Sequence, residues 1–150
     1  MFLRIDDRLV HGQVVTAWIK QLNVKSILVI DDLAAGNPII SKALTMATPK
    51  NIKLVIKSVE DAKSCLCDFE EKDLLIITKA PVNAKKVIQE NLCYEWKMNV
   101  GNMGMDAGRK KYAQTVYLDE ENYAAIKELE AIENIDIFMQ TVPGQTVTKL

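Results

Sequence analysis

Two runs of four consecutive apolar residues, Ile27-Leu28-Val29-Ile30 and Leu74-Leu75-Ile76-Ile77, constrain this chain more than any other feature. A strand with one wet face alternates apolar and polar residues, whereas a strand that is apolar throughout must be covered on both faces. These runs lie within β-type segments at Ser26–Ile30 and Asp73–Thr78. Further segments of this kind fall at Met1–Ile5, Lys53–Lys57, Lys97–Val100, Thr115–Leu118 and Ile135–Thr141. Helical spacing occupies the intervals at Gly12–Leu22, Pro38–Met46, Ser58–Cys67, Asn83–Asn91 and Glu120–Ala131. In the first of these, Val14, Trp18 and Leu22 share a face, with Val15 and Ile19 beside it. Alternation of strand and helix predicts right-handed βαβ crossovers in a single α/β domain over residues 1–150. The predicted core is a mostly parallel open sheet of about seven strands with helices on both faces.

Composition removes several function classes. A formal net charge of -1 speaks against a nucleic-acid binder, which usually carries a basic surplus. No apolar run approaches the roughly 20 residues that span a bilayer. Charges at Arg4, Asp6, Asp7 and Arg8 come too early for a secretory signal, so a cytoplasmic protein is expected. Cys65 and Cys67 are separated by one residue, Cys93 is distant, and the chain has a single histidine. That set is too small and wrongly spaced for a zinc site, so no metal is expected and the thiols read as reduced. The first strand is not followed by GxGxxG, and no GxxxxGK[ST] loop is present, which weakens a nucleotide-binding reading.

In an open parallel sheet, ligand groups gather in the loops after the carboxyl ends of the strands. Those loops are Asp6–His11, Asp31–Asn37, Lys79–Val82 and Gly101–Gly108, and the histidine lies in the first. Around it, Arg4-Ile5-Asp6-Asp7-Arg8-Leu9-Val10-His11 places two arginines, two aspartates and the imidazole within eight residues. A helix starts at or just after His11, and its first amides and partial positive charge suit a phosphate. Arg8 adds a planar donor fork, and Gly12 lets a bulky group approach the backbone. The residues alone fit a second reading equally well: His11 as a helix cap, with Asp6 and Asp7 paired to Arg8 on the surface. Both readings stay open at this level.

The stretch Arg4-Ile5-Asp6-Asp7-Arg8-Leu9-Val10-His11-Gly12-Gln13-Val14-Val15 closely resembles a family signature. The family is the enzyme IIB component of the mannose/fructose/sorbose branch of the phosphoenolpyruvate-dependent sugar phosphotransferase system (PTS). The resemblance covers nearly the whole chain. Asn99-Val100-Gly101-Asn102-Met103 with Gly108-Arg109-Lys110, then Val116-Tyr117-Leu118-Asp119, then Gln140-Thr141-Val142-Pro143 follow in the family's order. Two loops depart from it: Asp31-Asp32 stands where an Asn-Asp pair is common, and Thr78-Lys79-Ala80-Pro81 replaces a T-N-P-like turn.

The resemblance implies that His11 is phosphorylated, at ring nitrogen Nδ1. It thereby implies a protein-N(pi)-phosphohistidine–sugar phosphotransferase. It implies the phosphorylated IIA component as donor, and the IIC and IID membrane components as the place where an incoming sugar is phosphorylated. Transient association with the membrane follows from the second step. In this reading Arg8 and the helix start at Gly12 and Gln13 hold phosphoryl oxygens, Asp6 orients Arg8 or the imidazole, and Lys79 and Asn102 form a rim. Phosphoryl transfer by positioning and electrostatics calls for no metal or organic cofactor. A site that meets two proteins in turn is expected on an exposed, largely flat face. A regulatory α/β domain that keeps the His11 phosphosite, or one that binds a small ligand, remains the alternative. The sugar and any homo-oligomer are left open.

Overall fold

A computed structural model describes residues 1–150 except the side chain of Gln13, so the expectation placed on that side chain lies outside the described residues. The first half of the chain runs β1 (Phe2–Asp6), α1 (Gly12–Leu22), β2 (Ser26–Ile30), α2 (Asp32–Gly36), α3 (Pro38–Ala47), β3 (Lys53–Lys57), α4 (Val59–Ala62) and β4 (Leu74–Thr78). The second runs α5 (Pro81–Gln89), β5 (Trp96–Asn102), β6 (Lys110–Ala113), β7 (Val116–Leu118), α6 (Glu120–Glu130) and β8 (Ile135–Met139). Six strands form one sheet in the order β3-β2-β4-β1-β5-β8, and every neighbouring pair is parallel.

Residues of one strand alternate between two cores, which explains why the runs are apolar throughout. Leu28, Ile30, Leu74 and Ile76 face one core, closed by Val59, Val87, Ile126 and Leu129 of α4, α5 and α6. Ile27, Val29, Leu75 and Ile77 face the other, closed by Val15 and Trp18 of α1 and Leu44 of α3. Each such side chain contributes about 1.5–3 kcal/mol by leaving water.

Three expectations are corrected. The sheet has six strands, not about seven, because the Thr115–Leu118 run leaves it: β7 pairs antiparallel with β6 in a two-stranded ribbon. A parallel partner would need a crossover helix, which the glycine-rich stretch after β5 cannot supply. The helix expected over Ser58–Cys67 stops at Ala62 and continues as i→i+3 turns, with Cys65 N–H on the Ala62 carbonyl and Asp68 N–H on that of Cys65. Ser and Cys are weak helix formers, and Ser64 Oγ competes for the Asp61 carbonyl. Conversely, α2 carries no periodic signal. It is one turn, capped by Asp31 accepting from the Ala34 amide at 3.0 Å.

The crossovers position the site. β1 connects through α1 on one face, whereas its neighbours β4 and β5 connect through α5 and α6 on the other. Adjacent strands whose chains depart to opposite faces open a crevice at their carboxyl ends, and that crevice lies at the end of β1.

Candidate functional site

The two faces of β1 differ in chemistry. Leu3 and Ile5 enter one core, while Arg4 and Asp6 on the opposite face are charged and also buried, at 1% and 0% exposure. They neutralise each other: Arg4 Nη2 donates to Asp6 Oδ2 at 2.8 Å. Arg4 Nη1 donates to Asn99 Oδ1 at 2.5 Å and to the Gln140 carbonyl at 3.4 Å, and the guanidinium lies 5.6 Å over the Trp18 ring. Burial pulls the Arg4 pKa below its ordinary value, while the Asp6 carboxylate pulls it back up. Trp18 Nε1 donates to the Thr141 carbonyl and Asn99 Nδ2 to that of Gln140, so the segment after β8 is fastened to the same cluster.

Beyond Asp6 the chain turns sharply. The Leu9 amide donates to the Asp6 carbonyl at 3.0 Å, and the Arg8 amide to Asp6 Oδ1 at 3.1 Å. Leu9 is left-handed, with φ 57°, a costly conformation for a bulky residue that persists only where its surroundings enforce it. Its buried side chain anchors the turn in the α1-side core. The turn aims the Leu9 carbonyl at His11 Nδ1, 2.9 Å away, and Asp6 Oδ1 lies 3.8 Å from the same nitrogen. Because a carbonyl can only accept, Nδ1 carries a proton in this geometry. The lone pair of the neutral ring is then on Nε2, which is buried and has no partner among the described residues. Reaction at Nδ1 therefore requires the ring to leave the Leu9 carbonyl.

His11 is the N-cap of α1 and supplies no side-chain bond to its amides. Gly12 follows with φ +41° and open space where a Cβ would stand, so the helix start is unobstructed. Arg8 is exposed, and its guanidinium makes no ion pair or hydrogen bond among the described residues. Asp6 touches the Arg8 main chain, not its guanidinium, and is tied instead to Arg4. The Lys79 ammonium lies 3.6 Å from Asp31, the α2 cap, at the end of β4. Asn102 Nδ2 donates to Asp7 Oδ1 at 2.6 Å, so this side chain is engaged in holding two loops together.

Arg4, Asp7 and Asn99 carry more of the site than their sequence context indicated. Asp7 Oδ2 also accepts from the Gly104 amide at 2.8 Å, which fixes the loop after β5 to the loop after β1. Arg109 holds that loop from its far side through the Gly104 carbonyl at 2.7 Å. Aspartates beside a helix start are read first as dipole partners, and nothing local reveals a bond to a residue 97 positions away. A cleft of about 900 Å³ opens at the amino end of the sheet, and a polar one of about 320 Å³ lies between β7 and the segment after β8.

The family model described as "PTS system sorbose subfamily IIB component" matches residues 1–150. A probable phosphotransferase enzyme IIB component of Streptococcus pyogenes is 36% identical, over 99% of this chain and 94% of its own. The mannose-specific EIIAB component of Escherichia coli is 30% identical, over 85% of this chain and 40% of its own. Among solved structures, the N-acetylgalactosamine-specific IIB component 1 of Escherichia coli superimposes with a TM-score of 0.91. It is 24% identical and covers 99% of this chain and 97% of that one, a likeness of fold.

Proposed function

The chain belongs to the sorbose subfamily of PTS IIB components, and from that premise we propose that it is a phosphocarrier loaded on His11. The family's members are phosphotransferases. The donor in this reading is a phosphorylated IIA component, and the relative whose name joins A and B in one chain supports that pairing. The acceptor step takes place at the IIC and IID membrane components, on a sugar hydroxyl. Residues 1–150 act as one IIB domain.

The carrying observation is an exposed guanidinium, Arg8, with no partner among the described residues, three residues before the histidine at a helix start that His11 does not cap with its side chain. The neutral imidazole attacks phosphorus with its lone pair as the P–N bond to the donor histidine breaks. That electron pair returns to the donor ring. Arg8 and the first amides of α1 take up the charge on the equatorial oxygens. Swinging away from the Leu9 carbonyl carries the ring toward solvent, where Nδ1 gives up its proton as Nε2 takes one up, which leaves the lone pair on Nδ1 and within a partner's reach.

The test is incubation with phosphoenolpyruvate, the general phosphotransfer proteins and candidate IIA components, followed by mapping of the label. Phosphate on His11 that is lost in acid and kept in base is expected, and His11→Ala should remove it while the fold persists. Acid-stable phosphate on Ser, Thr or Tyr would overturn the reading.

A further inference from the structure

We propose that Arg4 is a positioning residue for chemistry at His11, acting through Asp6 and the Asp6–Leu9 turn; this rests on the phosphocarrier reading above. Packing alone would be met by an apolar residue, as at Leu3 and Ile5 on the same strand. Burying a guanidinium with its carboxylate is often no more stabilising than apolar packing of similar volume, so stability gives no reason for the pair.

The sheet is locally deformed to admit it. β1 and β5 pair in register up to Ile5 with Val100, and the next pair is Asp6 with Asn102, which leaves Gly101 as a bulge. A Cβ on Gly101 would stand 1.9 Å from Arg4 Nη1 and 2.1 Å from Cζ, so the guanidinium occupies the space of the missing side chain. Its fork then spans Asp6, Asn99 and the Gln140 carbonyl, and Trp18 closes the face below.

The consequence passes outward by contact. With Oδ2 held by Arg4, Asp6 presents Oδ1 to the Arg8 amide and to the His11 ring. The same residue's carbonyl holds the Leu9 amide, and the left-handed Leu9 directs its own carbonyl to Nδ1. Arg4 is too deeply buried to touch a phosphoryl group or a partner, so its effect falls on the transfer rate and not on donor binding.

Because His11 is the chain's single histidine, a long-range ¹H–¹⁵N spectrum reports its tautomer without assignment and without any donor. Gly101→Ala displaces the guanidinium while leaving its charge in place, and Arg4→Lys keeps the charge but loses the fork. Both should move the ring signals from the Nδ1–H form toward the Nε2–H form. The freed ring offers its Nδ1 lone pair more often but has lost its fixed mount at the start of α1, and loss of placement should dominate, slowing transfer from phosphorylated IIA by about ten- to a hundredfold with the half-saturating donor concentration unchanged. Trp96→Phe, which removes a buried bond to the Asn91 carbonyl, is the control for lost stability and should leave the ring signals alone. A folded Gly101→Ala protein with wild-type ring signals and rate overturns the proposal, as does Trp96→Phe moving the signals equally far. Absence of label on wild-type His11 would break the phosphocarrier reading instead, and the spectrum would still decide the role of Arg4.

Discussion

The two ends of the sheet are built on opposite plans. The amino end holds the larger cleft, walled by Phe2, Leu22, Val24, Leu74, Trp96 and Ile135, and contains no histidine. The carboxyl end holds the smaller, polar cleft between β7 and the segment after β8. It holds the buried Arg4–Asp6 pair, the left-handed Leu9 and loops cross-tied by Asp7. Cavity volume is a guide to sites that enclose small ligands. A group passed between proteins needs the reverse, an accessible acceptor on a stiff mount. Strain and buried charge gather at the end that carries His11.

The contrast is sharpest under substitution. Asp6→Ala strips a buried guanidinium of its partner, and it should cost about 3–5 kcal/mol in urea unfolding and abolish labelling of His11. A loss well below that would mean the carboxyl end is not held by its charges. Arg8→Lys comes next. It keeps the charge and loses the fork, so single-turnover transfer should fall about ten- to a thousandfold while the melting temperature stays put. Near-native transfer would reduce Arg8 to a surface charge. The smallest effects belong at the other end: Lys72→Ala and Glu133→Ala, on the exposed rim of the larger cleft, should change stability by less than about 0.5 kcal/mol. Labelling of His11 should be unaffected in both, and a marked loss would show that the two ends are coupled.

Much of the carboxyl end is legible in the chain because its signals are local. The β1 exit, the start of α1 at Gly12 and the doubly covered strands follow from spacing within a dozen residues. What escapes a local reading is carried by distant partners. Asn102 suggested a rim contact, yet its amide is committed to Asp7, 95 positions earlier. Arg4 reads in the sequence as one member of the charged cluster before His11, and the bulge at Gly101 shows where its guanidinium goes. The β6–β7 ribbon was half visible, since Val116–Leu118 is apolar, but its partner Lys110–Ala113 begins with two lysines and offers no alternation.

The placement of β1 between β4 and β5 also sets a timetable for the chain's synthesis. Arg4 pairs in register with Ile77 on one side and Asn99 on the other, and its guanidinium reaches the carbonyl of Gln140. β1 therefore waits for β5 and the segment after β8 to be made before its charges are buried. At about 5–20 residues per second, β5 follows β1 by about 5–20 s. Until then Arg4 and Asp6 stay hydrated, Asp6 has nothing to hold it against the turn, and Leu9 has no reason to adopt its left-handed form. A nascent or truncated chain thus carries the histidine but not the mount, and in the phosphocarrier reading the competence of His11 is a property of the completed sheet.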